Sequence, residues 1–184
     1  MIVISYIFSQ GLEIYANLKF NKMLADQNYL MTVGRLKLGE TDIFDFANKQ
    51  EKNPCYMCAR MRRGHLYSKA KSLGCNKIAL GHNQDDAVET FFMNLMTTGQ
   101  LKTFLPVTYL SRMDLTVLRP LLYYREEEIR QLGMEIGLEP IKNPCPYDGF
   151  TMRQYVKEHI AALNENYPEV YEHLASAMRL PENP

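Results

Sequence analysis

A short apolar strand that breaks at a glycine into a polar, doubly acidic helix start is the feature that most constrains this chain. Residues 77–80 are predicted to form a buried strand, and the loop that begins at Gly81 leads to the carboxylates of Asp85 and Asp86. A strand that ends in this way before a helix is typical of α/β proteins that bind phosphates and Mg²⁺. The pattern therefore predicts a nucleotide site at the carboxyl end of this strand.

Strands and helices alternate along the chain, which favours an α/β fold with a parallel sheet. We assign residues 1–150 to this α/β domain and residues 151–184 to a helical C-terminal extension. The predicted elements are, in order, a strand over 2–8, a helix over 12–26, a strand over 29–33, a loop-rich segment over 34–52 with an extended piece at 43–44, a helix over 54–72, a strand over 77–80, a helix from Asn83 or Asp85 to about 98, paired strands over 107–110 and 115–118, and helices over 125–136, 151–164 and 168–178.

Two cysteines, Cys55 and Cys58, lie two residues apart at the predicted start of the helix over 54–72. At this spacing both thiolates can reach one metal centre, and the helix dipole stabilises them. Cys145 stands between two prolines, which fix its backbone. Cys75 precedes a buried strand, so we expect a small buried side chain there. The three placed cysteines are compatible with a [4Fe-4S] cluster that leaves one iron open, with a structural zinc site completed by a fourth ligand, or with a redox dithiol.

The charge balance limits what can be said about partners. Lys plus Arg and Asp plus Glu number 21 each, so the net charge does not indicate a nucleic acid. Arg60, Arg62 and Arg63 nevertheless cluster beside the cysteine pair, where they form either a phosphate-binding patch or a solvated helix face. Four cysteines without a leader peptide predict a reducing, cytoplasmic compartment, and the apolar residues 2–8 are too few to span a membrane.

The acidic pair and His82 each have a structural as well as a functional interpretation. Adjacent residues of a helix point about 100° apart, so one of Asp85 and Asp86 can face a nucleotide while the other caps the helix or binds Mg²⁺ through water. Taken alone, the two carboxylates fit an ordinary acidic first turn equally well. His82 can likewise be a structural histidine, so these residues do not decide the function without further context.

Four motifs taken together supply that context. They are Pro54-Cys55-x-x-Cys58-x-x-x-Arg62-Arg63-Gly64, Leu80-Gly81-His82-Asn83-x-Asp85-Asp86-x-x-Glu89-Thr90, Arg119-Pro120-Leu121 and Asn143-Pro144-Cys145. In this combination the chain resembles the tRNA 2-thiocytidine synthetase group of the PP-loop (N-type) ATP pyrophosphatase superfamily, most densely over residues 51–153. The resemblance implies a sheet of the adenine nucleotide α hydrolase (HUP) type, and it makes residues 1–150 a PP-loop domain.

The resemblance also implies a reaction. ATP would adenylate a carbonyl oxygen of a pyrimidine in the anticodon loop of a tRNA, and sulfur from a donor, held on the open iron of a [4Fe-4S] cluster, would displace AMP. A homodimer is a possible assembly. Carried over by position, the cluster ligands would be Cys55, Cys58 and Cys145, the nucleotide-binding residues Gly81, His82 and Asn83, the catalytic residues Asp85 and Asp86 (which position Mg²⁺ and phosphates) and Arg62, and the RNA-binding residues Arg60, Arg63 and Arg153.

One motif of the family does not occur in the sequence. The family's first strand leads into a Ser-Gly-Gly-x-Asp-Ser loop that holds the ATP pyrophosphate, and residues 9–13 do not match it. Residues 2–8 correspond by order to the family's second strand, so we expect the first βα unit to be missing through truncation, a split gene or genuine loss. Without the N–H groups of that loop, residues 1–184 should bind ATP weakly, and catalysis is expected of a longer form. The alternatives are a lysidine synthetase-like tRNA ligase and a non-catalytic iron–sulfur or zinc binding remnant.

Overall fold

A computed structural model of the chain describes residues 2–5, 13–14, 29–31, 37–38, 41–42, 54–137, 140–141 and 149–178. The strands are β1 (Ile2–Ser5), β2 (Glu13–Ile14), β3 (Tyr29–Met31), β4 (Lys37–Leu38), β5 (Thr41–Asp42), β6 (Lys77–Leu80), β7 (Val107–Leu110), β8 (Leu115–Leu118) and β9 (Pro140–Ile141). The helices are α1 (Pro54–Ser72), α2 (Gln84–Thr98), α3 (Glu126–Glu135), α4 (Met152–Asn166) and α5 (Val170–Ala177).

Five of these strands form one sheet in the order β3-β1-β6-β8-β7. β1 pairs in parallel with β3 on one side and with β6 on the other, and β6 pairs in parallel with β8. β7 joins β8 antiparallel at the edge, because the turn over 111–114 reverses the chain. The predicted parallel sheet and the predicted strand pair over 107–118 are therefore both confirmed.

α1 and β6 form the unit that carries the cysteine pair and the glycine loop. Only residues 73–76 separate them, and Gly74 adopts a φ of 70°, the left-handed conformation that commonly ends a helix. Because α1 packs back along β6, the N-terminal end of α1 lies at the same edge of the sheet as the carboxyl end of β6. The core between α1 and the sheet consists of Leu66, Ala70, Cys75, Ile78, Leu80, Leu115 and Val117.

A second core joins α2 to the two C-terminal helices. Val88 and Phe91 of α2 pack in one buried cluster with Val156 and Ile160 of α4. The other buried members are Ala87, Leu122, Tyr171 and Met178. The predicted C-terminal helices are confirmed, with bounds close to those expected. The division of the chain into residues 1–150 and 151–184 stays a prediction.

Two segments of the described chain differ from the sequence-based expectation. The helix predicted over 12–26 is wrong at residues 13–14, which form β2 and pair antiparallel with β9. Helical spacing of apolar residues is a local signal, and it contains nothing about a partner strand near the other end of the chain. Within the segment expected to be loop-rich, β4 and β5 form a short antiparallel pair. The remaining predicted residues, 6–8, 15–26, 32–33 and 43–44, lie outside the described residues, and the missing first βα unit stays a prediction.

Candidate nucleotide and metal site

The candidate site is built where two neighbouring parallel strands end. The loop from Gly81 to Asn83 follows β6, and Arg119 follows β8. The two strands are paired in parallel with Ala79 opposite Leu118. Carboxyl ends of parallel strands lie at one edge of a sheet, which is where α/β proteins bind their ligands. The glycine loop and Arg119 therefore lie side by side at this edge.

A capping box fixes the end of the loop. The Asn83 side chain accepts a hydrogen bond from the Asp86 N–H at 2.8 Å, and the Asp86 carboxylate accepts one from the Asn83 N–H at 3.1 Å. Both residues are buried. The reciprocal bonds satisfy two N–H groups that the helix itself leaves without partners. Asn83 is thus the N-cap of α2, one of the two starts that the sequence predicts.

His82 is held in a neutral state within a positive environment. Its ring lies 4.8 Å from that of Phe104, centroid to centroid. Burial, followed by the charges of Arg119, Arg153 and Arg63, lowers the pKa of His82 to about 3. Its Nδ1 atom is buried and has no hydrogen-bond partner among the described residues. A neutral imidazole with a free nitrogen can still donate or accept a hydrogen bond from a ligand.

Asp85 ties the first turn of α2 to the start of α3. Its two carboxylate oxygens each lie 3.3 Å from a nitrogen of the Arg125 guanidinium, and one accepts the Glu126 N–H at 2.6 Å. The same guanidinium lies 3.4 Å from the centre of the Tyr171 ring and 3.7 Å from the Glu172 carboxylate. One arginine therefore contacts α2 and α5 at once, close to the candidate site.

Arg153 makes a second bridge, from α4 to α2. Its guanidinium donates to the backbone carbonyl of Asp86 at 3.2 Å, to the Glu89 carboxylate at 2.8 Å and to the Thr90 hydroxyl at 2.9 Å. It also lies 3.6 Å from the Asp86 carboxylate. Burial raises the pKa of Glu89, and the bond from Arg153 opposes that effect. The contacts place Arg153, which we expected to bind RNA, inside the helix packing with 24% of its side chain exposed.

The cysteine pair lies in the N-terminal turns of α1. Cys55 is exposed, and Cys58 is 9% exposed. The Arg62 guanidinium donates to the Cys58 sulfur at 3.5 Å. Cys75 belongs to the core just beyond the other end of α1, and the helix runs about 21 Å from Cys58 to its last residue, Ser72, at 1.5 Å per residue. Two thiolates near a helix N-terminus and a cation are suitable donors for iron or zinc.

The remaining candidates are the third proposed metal ligand, Cys145, and the basic residues Arg60 and Arg63 of α1. Cys145 lies outside the described residues. In the described part of the chain, no three His, Cys, Asp or Glu side chains form a group that could hold a metal ion. Arg60 and Arg63 are exposed on α1. Arg63 is also one of the three arginines that act on His82, so the basic face of α1 lies within electrostatic reach of the glycine loop.

Two residues at this edge were not singled out by their chemistry in the sequence. Arg119 appeared only as part of a motif without a role, and Phe104 belongs to a segment with no helical or strand periodicity. In the structure both residues contact the site. The Arg119 guanidinium carbon lies 4.9 Å from the centre of the Phe104 ring, and the His82 ring lies 4.8 Å from the same centre. The position of Arg119 directly after a predicted strand was the one available signal.

The fold and this edge define a class of protein. Residues 39–162 match the PP-loop domain family, and the chain belongs to that family. Its α/β sheet is of the adenine nucleotide α hydrolase type, as expected from the sequence.

Several relatives of this chain are named as tRNA-cytidine(32) 2-sulfurtransferases. The chain is 35% identical over 157 residues to the tRNA-cytidine(32) 2-sulfurtransferase of Dechloromonas aromatica, which covers 82% of this chain and 54% of the relative. The enzyme of the same name from Geobacter sulfurreducens is 36% identical over 146 residues, 77% of this chain and 57% of the relative. The chain thus spans about half the length of the curated relatives that it matches.

A solved structure has the same fold. The U34-tRNA thiolase NcsA from Methanococcus maripaludis, determined with its [4Fe-4S] cluster, superimposes with a TM-score of 0.63. The match covers 96% of this chain and 60% of the thiolase at 21% identity. Among the described residues, no helix has the length and apolar character needed to cross a bilayer.

Proposed function

We propose that this chain is the PP-loop part of a cytoplasmic tRNA-thiolating enzyme that uses ATP and a [4Fe-4S] cluster to make 2-thiocytidine. Membership of the PP-loop family and the names of the relatives support this function. In the reaction, a pyrimidine carbonyl oxygen is adenylated and then replaced by sulfur, with AMP as the leaving group.

One observation carries the proposal. The cysteine pair and the glycine loop belong to one αβ unit, and the charge of Arg63 on α1 acts on His82 in the loop. The helix end that carries Cys55 and Cys58 and the strand end that leads into the glycine loop therefore lie at the same edge of the sheet. That arrangement suits a reaction in which a nucleotide activates a base and a sulfur-bearing centre attacks it.

The thiolates of Cys55 and Cys58 would hold the cluster together with Cys145. When bound, a [4Fe-4S] cluster with three thiolate ligands supplies an iron that can bind sulfur. Arg62, whose guanidinium lies 3.5 Å from the Cys58 sulfur, would act as the catalytic cation beside the transferred sulfur.

The chain's other residues would bind the two substrates. Gly81 follows the last residue of β6 and would lie beside the phosphates, and Asn83 fixes the first turn of α2 through its cap. His82, being neutral, can hydrogen-bond to a ligand without adding charge. The exposed Arg60 and Arg63 would contact tRNA phosphates. Arg153 would contribute to RNA binding through the exposed 24% of its side chain.

Asp85 and Asp86 would position Mg²⁺ and the phosphates. Both carboxylates are engaged in ion pairs, Asp85 with Arg125 and Asp86 with Arg153. A bound Mg²⁺ must therefore share an oxygen with one of these arginines. Carboxylate oxygens and water are the ligands that Mg²⁺ prefers, so sharing through a water molecule is the simplest arrangement.

A gene deletion tests the function in the cell. Transfer RNA from a strain that lacks the gene for this chain should contain no 2-thiocytidine when its nucleosides are analysed by mass spectrometry. Restoring the gene should restore the modification. Restoring a Cys58→Ala variant should not, whereas Cys75→Ala, which removes a sulfur from the core far from the site, is the matched control and should restore it.

The purified protein gives an independent measurement. After anaerobic reconstitution with iron and sulfide, it should be brown and absorb near ~400 nm, as expected for thiolate-ligated iron. Cys55→Ala, Cys58→Ala and Cys145→Ala should each bleach the absorbance, and Cys75→Ala should not. Unchanged 2-thiocytidine in the deletion strain, or a colourless protein with one tightly bound zinc, would contradict the proposed function.

A further inference from the structure

The outer edge of β7 carries peptide groups for which the described residues supply no partner. β7 is the last strand of the five-stranded sheet and pairs with β8 on its inner side. The Arg119 N–H donates to the Pro106 carbonyl at 2.8 Å, which makes residues 106 and 119 a hydrogen-bonded pair of the antiparallel ladder. Since such pairs alternate along the ladder, Thr108 also bonds to β8, whereas the N–H and C=O groups of Val107 and Tyr109 point away from it.

The side chains at this edge are apolar as well. Val107 and Tyr109 are 56% and 61% exposed, and they lie on the sheet face opposite to the one that packs on α1, because their cross-strand neighbours alternate with the buried Leu115 and Val117. No charged residue lies in β7. Monomeric proteins commonly protect an open edge with charged side chains, so an uncharged edge with exposed apolar side chains indicates a protein partner.

One register lets two copies of this edge pair with each other through residues of β7 alone. Antiparallel pairing about Thr108 sets Val107 opposite Tyr109 of the second copy and the reverse, so that each pair exchanges two N–H···O=C bonds. A register shifted toward the N-terminus would use the Leu105 carbonyl, which already accepts a side-chain hydrogen bond at 2.6 Å. A register shifted toward the C-terminus would use Ser111, which belongs to the turn.

We propose that the edge of β7 binds the same edge of a second copy of this chain, so that two five-stranded sheets join across a two-fold axis into one. Val107 and Tyr109 then form cross-strand pairs of a β-branched and an aromatic side chain, a combination that stabilises antiparallel sheets. Each copy contributes the same surface, as a two-fold assembly requires. The inference goes beyond the proposed function, because it uses no residue assigned to the nucleotide, the metal or the RNA.

The exposed apolar surface suits a second copy. Leu101 and Leu105, in the segment that leads into β7, are 73% and 52% exposed. Together with Val107 and Tyr109 they expose roughly 400 Å² of apolar surface per copy, half of the ~800 Å² that one partner contributes to a standard interface. The backbone edge and the turn over 111–114 would add to this area. We therefore expect a dimer that dissociates on dilution, and the lack of charge in β7 disfavours RNA as the partner.

Sedimentation velocity of the full chain over about a hundredfold range of concentration measures the association. In Val107→Lys/Tyr109→Lys each new lysine faces a lysine of the other copy, so the dissociation constant should rise by at least about 100-fold. In Val107→Lys/Tyr109→Glu each new lysine faces a glutamate, and the dissociation constant should return to within about 10-fold of that of the parent. Leu132→Lys/Met134→Glu changes two exposed apolar residues of α3 and should dimerise as the parent does.

Hydrogen exchange locates the contact on the backbone. In the parent, the amides of Val107 and Tyr109 should exchange with deuterium more slowly at high protein concentration than at low, and in the lysine pair they should not. The proposal is overturned by a parent chain that stays monomeric throughout, by a lysine pair that dimerises like the parent, or by a folded lysine–glutamate pair that associates as weakly as the lysine pair. Loss of the dimer in the α3 variant alone would equally overturn it, since the contact would then lie on α3.

Discussion

At the scale of single residues, the main property of the site is that it concentrates positive charge around a neutral histidine. Arg119, Arg153 and Arg63 come from three different elements, yet all three act on His82. Protonating the imidazole would add a fourth cation to a buried region, which is why the pKa of His82 falls so far. The site therefore keeps its electrostatic character throughout the physiological pH range.

Because the pKa of His82 is lowered in the folded state, the stability of the fold should depend on pH. The folded state holds His82 neutral down to about pH 3, whereas the unfolded chain protonates it near 6.5. The unfolded state thus binds the extra proton, and stability is full above pH 6.5 and is lost as the pH falls toward 3. The His82 contribution should amount to roughly 2 kcal/mol between pH 8 and pH 5.

Urea unfolding of a His82→Gln variant at both pH values should show a loss smaller than that of the parent protein by this amount. His173→Gln removes an exposed histidine and is the matched control. A His82→Gln variant whose stability falls with pH as steeply as that of the parent would show that His82 is not the group responsible.

At the scale of the elements, the first turn of α2 is fixed by three sets of contacts. The Asn83–Asp86 capping box lies within the helix start, Asp85 bonds to the beginning of α3, and Arg153 reaches in from α4. The loop before this turn contains the candidate nucleotide residues. Its geometry is therefore set by packing on three sides before any ligand arrives, which lowers the entropy that binding must remove.

Loss of the cap should weaken this element. Asn83→Ala removes the acceptor for the Asp86 N–H, and replacing an N-cap by alanine typically lowers the free energy of unfolding by about 1–2 kcal/mol. Thr151→Ala removes the corresponding cap of α4, where the Thr151 hydroxyl accepts the Gln154 N–H at 3.1 Å. Chemical denaturation should show a similar loss in both variants, but only Asn83→Ala should reduce nucleotide binding. A reduction by Thr151→Ala as well would mean that the effect comes from general loosening.

The ion pair between Arg153 of α4 and Glu89 of α2 leads to a second prediction at this scale. Arg153→Met leaves the buried Glu89 without its partner, and breaking a buried ion pair from one side costs about 3 kcal/mol or more. The double variant with Glu89→Gln should recover part of that stability, because it removes the orphaned carboxylate. Denaturation of the parent, both single variants and the double variant gives the coupling. If Arg153→Met is as stable as the parent and binds RNA more weakly, the expected RNA contact is the main role of Arg153.

At the scale of the whole molecule, local signals predicted the elements around the site and missed the contacts between them. Pro54, Gly74 and the apolar run over 77–80 marked the bounds of α1 and β6, because caps and strand composition act within a few residues. The pairing of β2 with β9 joins residues 13–14 to residues 140–141, and no local pattern in the sequence predicts it. The same holds for Phe104, which became part of the site only when β6 and β8 were paired.

The candidate residues divide in the same way. Their types and order predicted that Cys55, Cys58 and the loop after Gly81 lie in one αβ unit. Sequence did not predict that Asp85 would bond to α3 or that Arg153 would bond to Glu89, since each carboxylate had several arginines available to it. Which charge pairs with which is decided by the packing of the helices, and spacing along the chain does not contain that information.

A truncation addresses the predicted division at residue 150. Removing residues 151–184 takes Val156, Ile160, Tyr171 and Met178 from the core that also contains Val88 and Phe91. Truncating several buried apolar side chains at a cost of about 2–5 kcal/mol each exceeds the stability of most domains. Residues 1–150 should therefore fail to unfold cooperatively in urea and should bind a hydrophobic dye. A truncated chain that unfolds as sharply as the parent would show that the C-terminal helices form a separate unit.

The position of Arg125 has a consequence for motion. Its guanidinium contacts Asp85 in the first turn of α2 and the Tyr171 ring on α5, so these two helices share one side chain. A ligand that orders the first turn of α2 also restricts the Arg125 side chain, and the restriction extends to α5. The backbone amides of α5, though remote from the reacting atoms, should then exchange their hydrogens for deuterium more slowly when a nucleotide is bound. An Arg125→Met chain should lose that slowing in α5 while retaining it in α2.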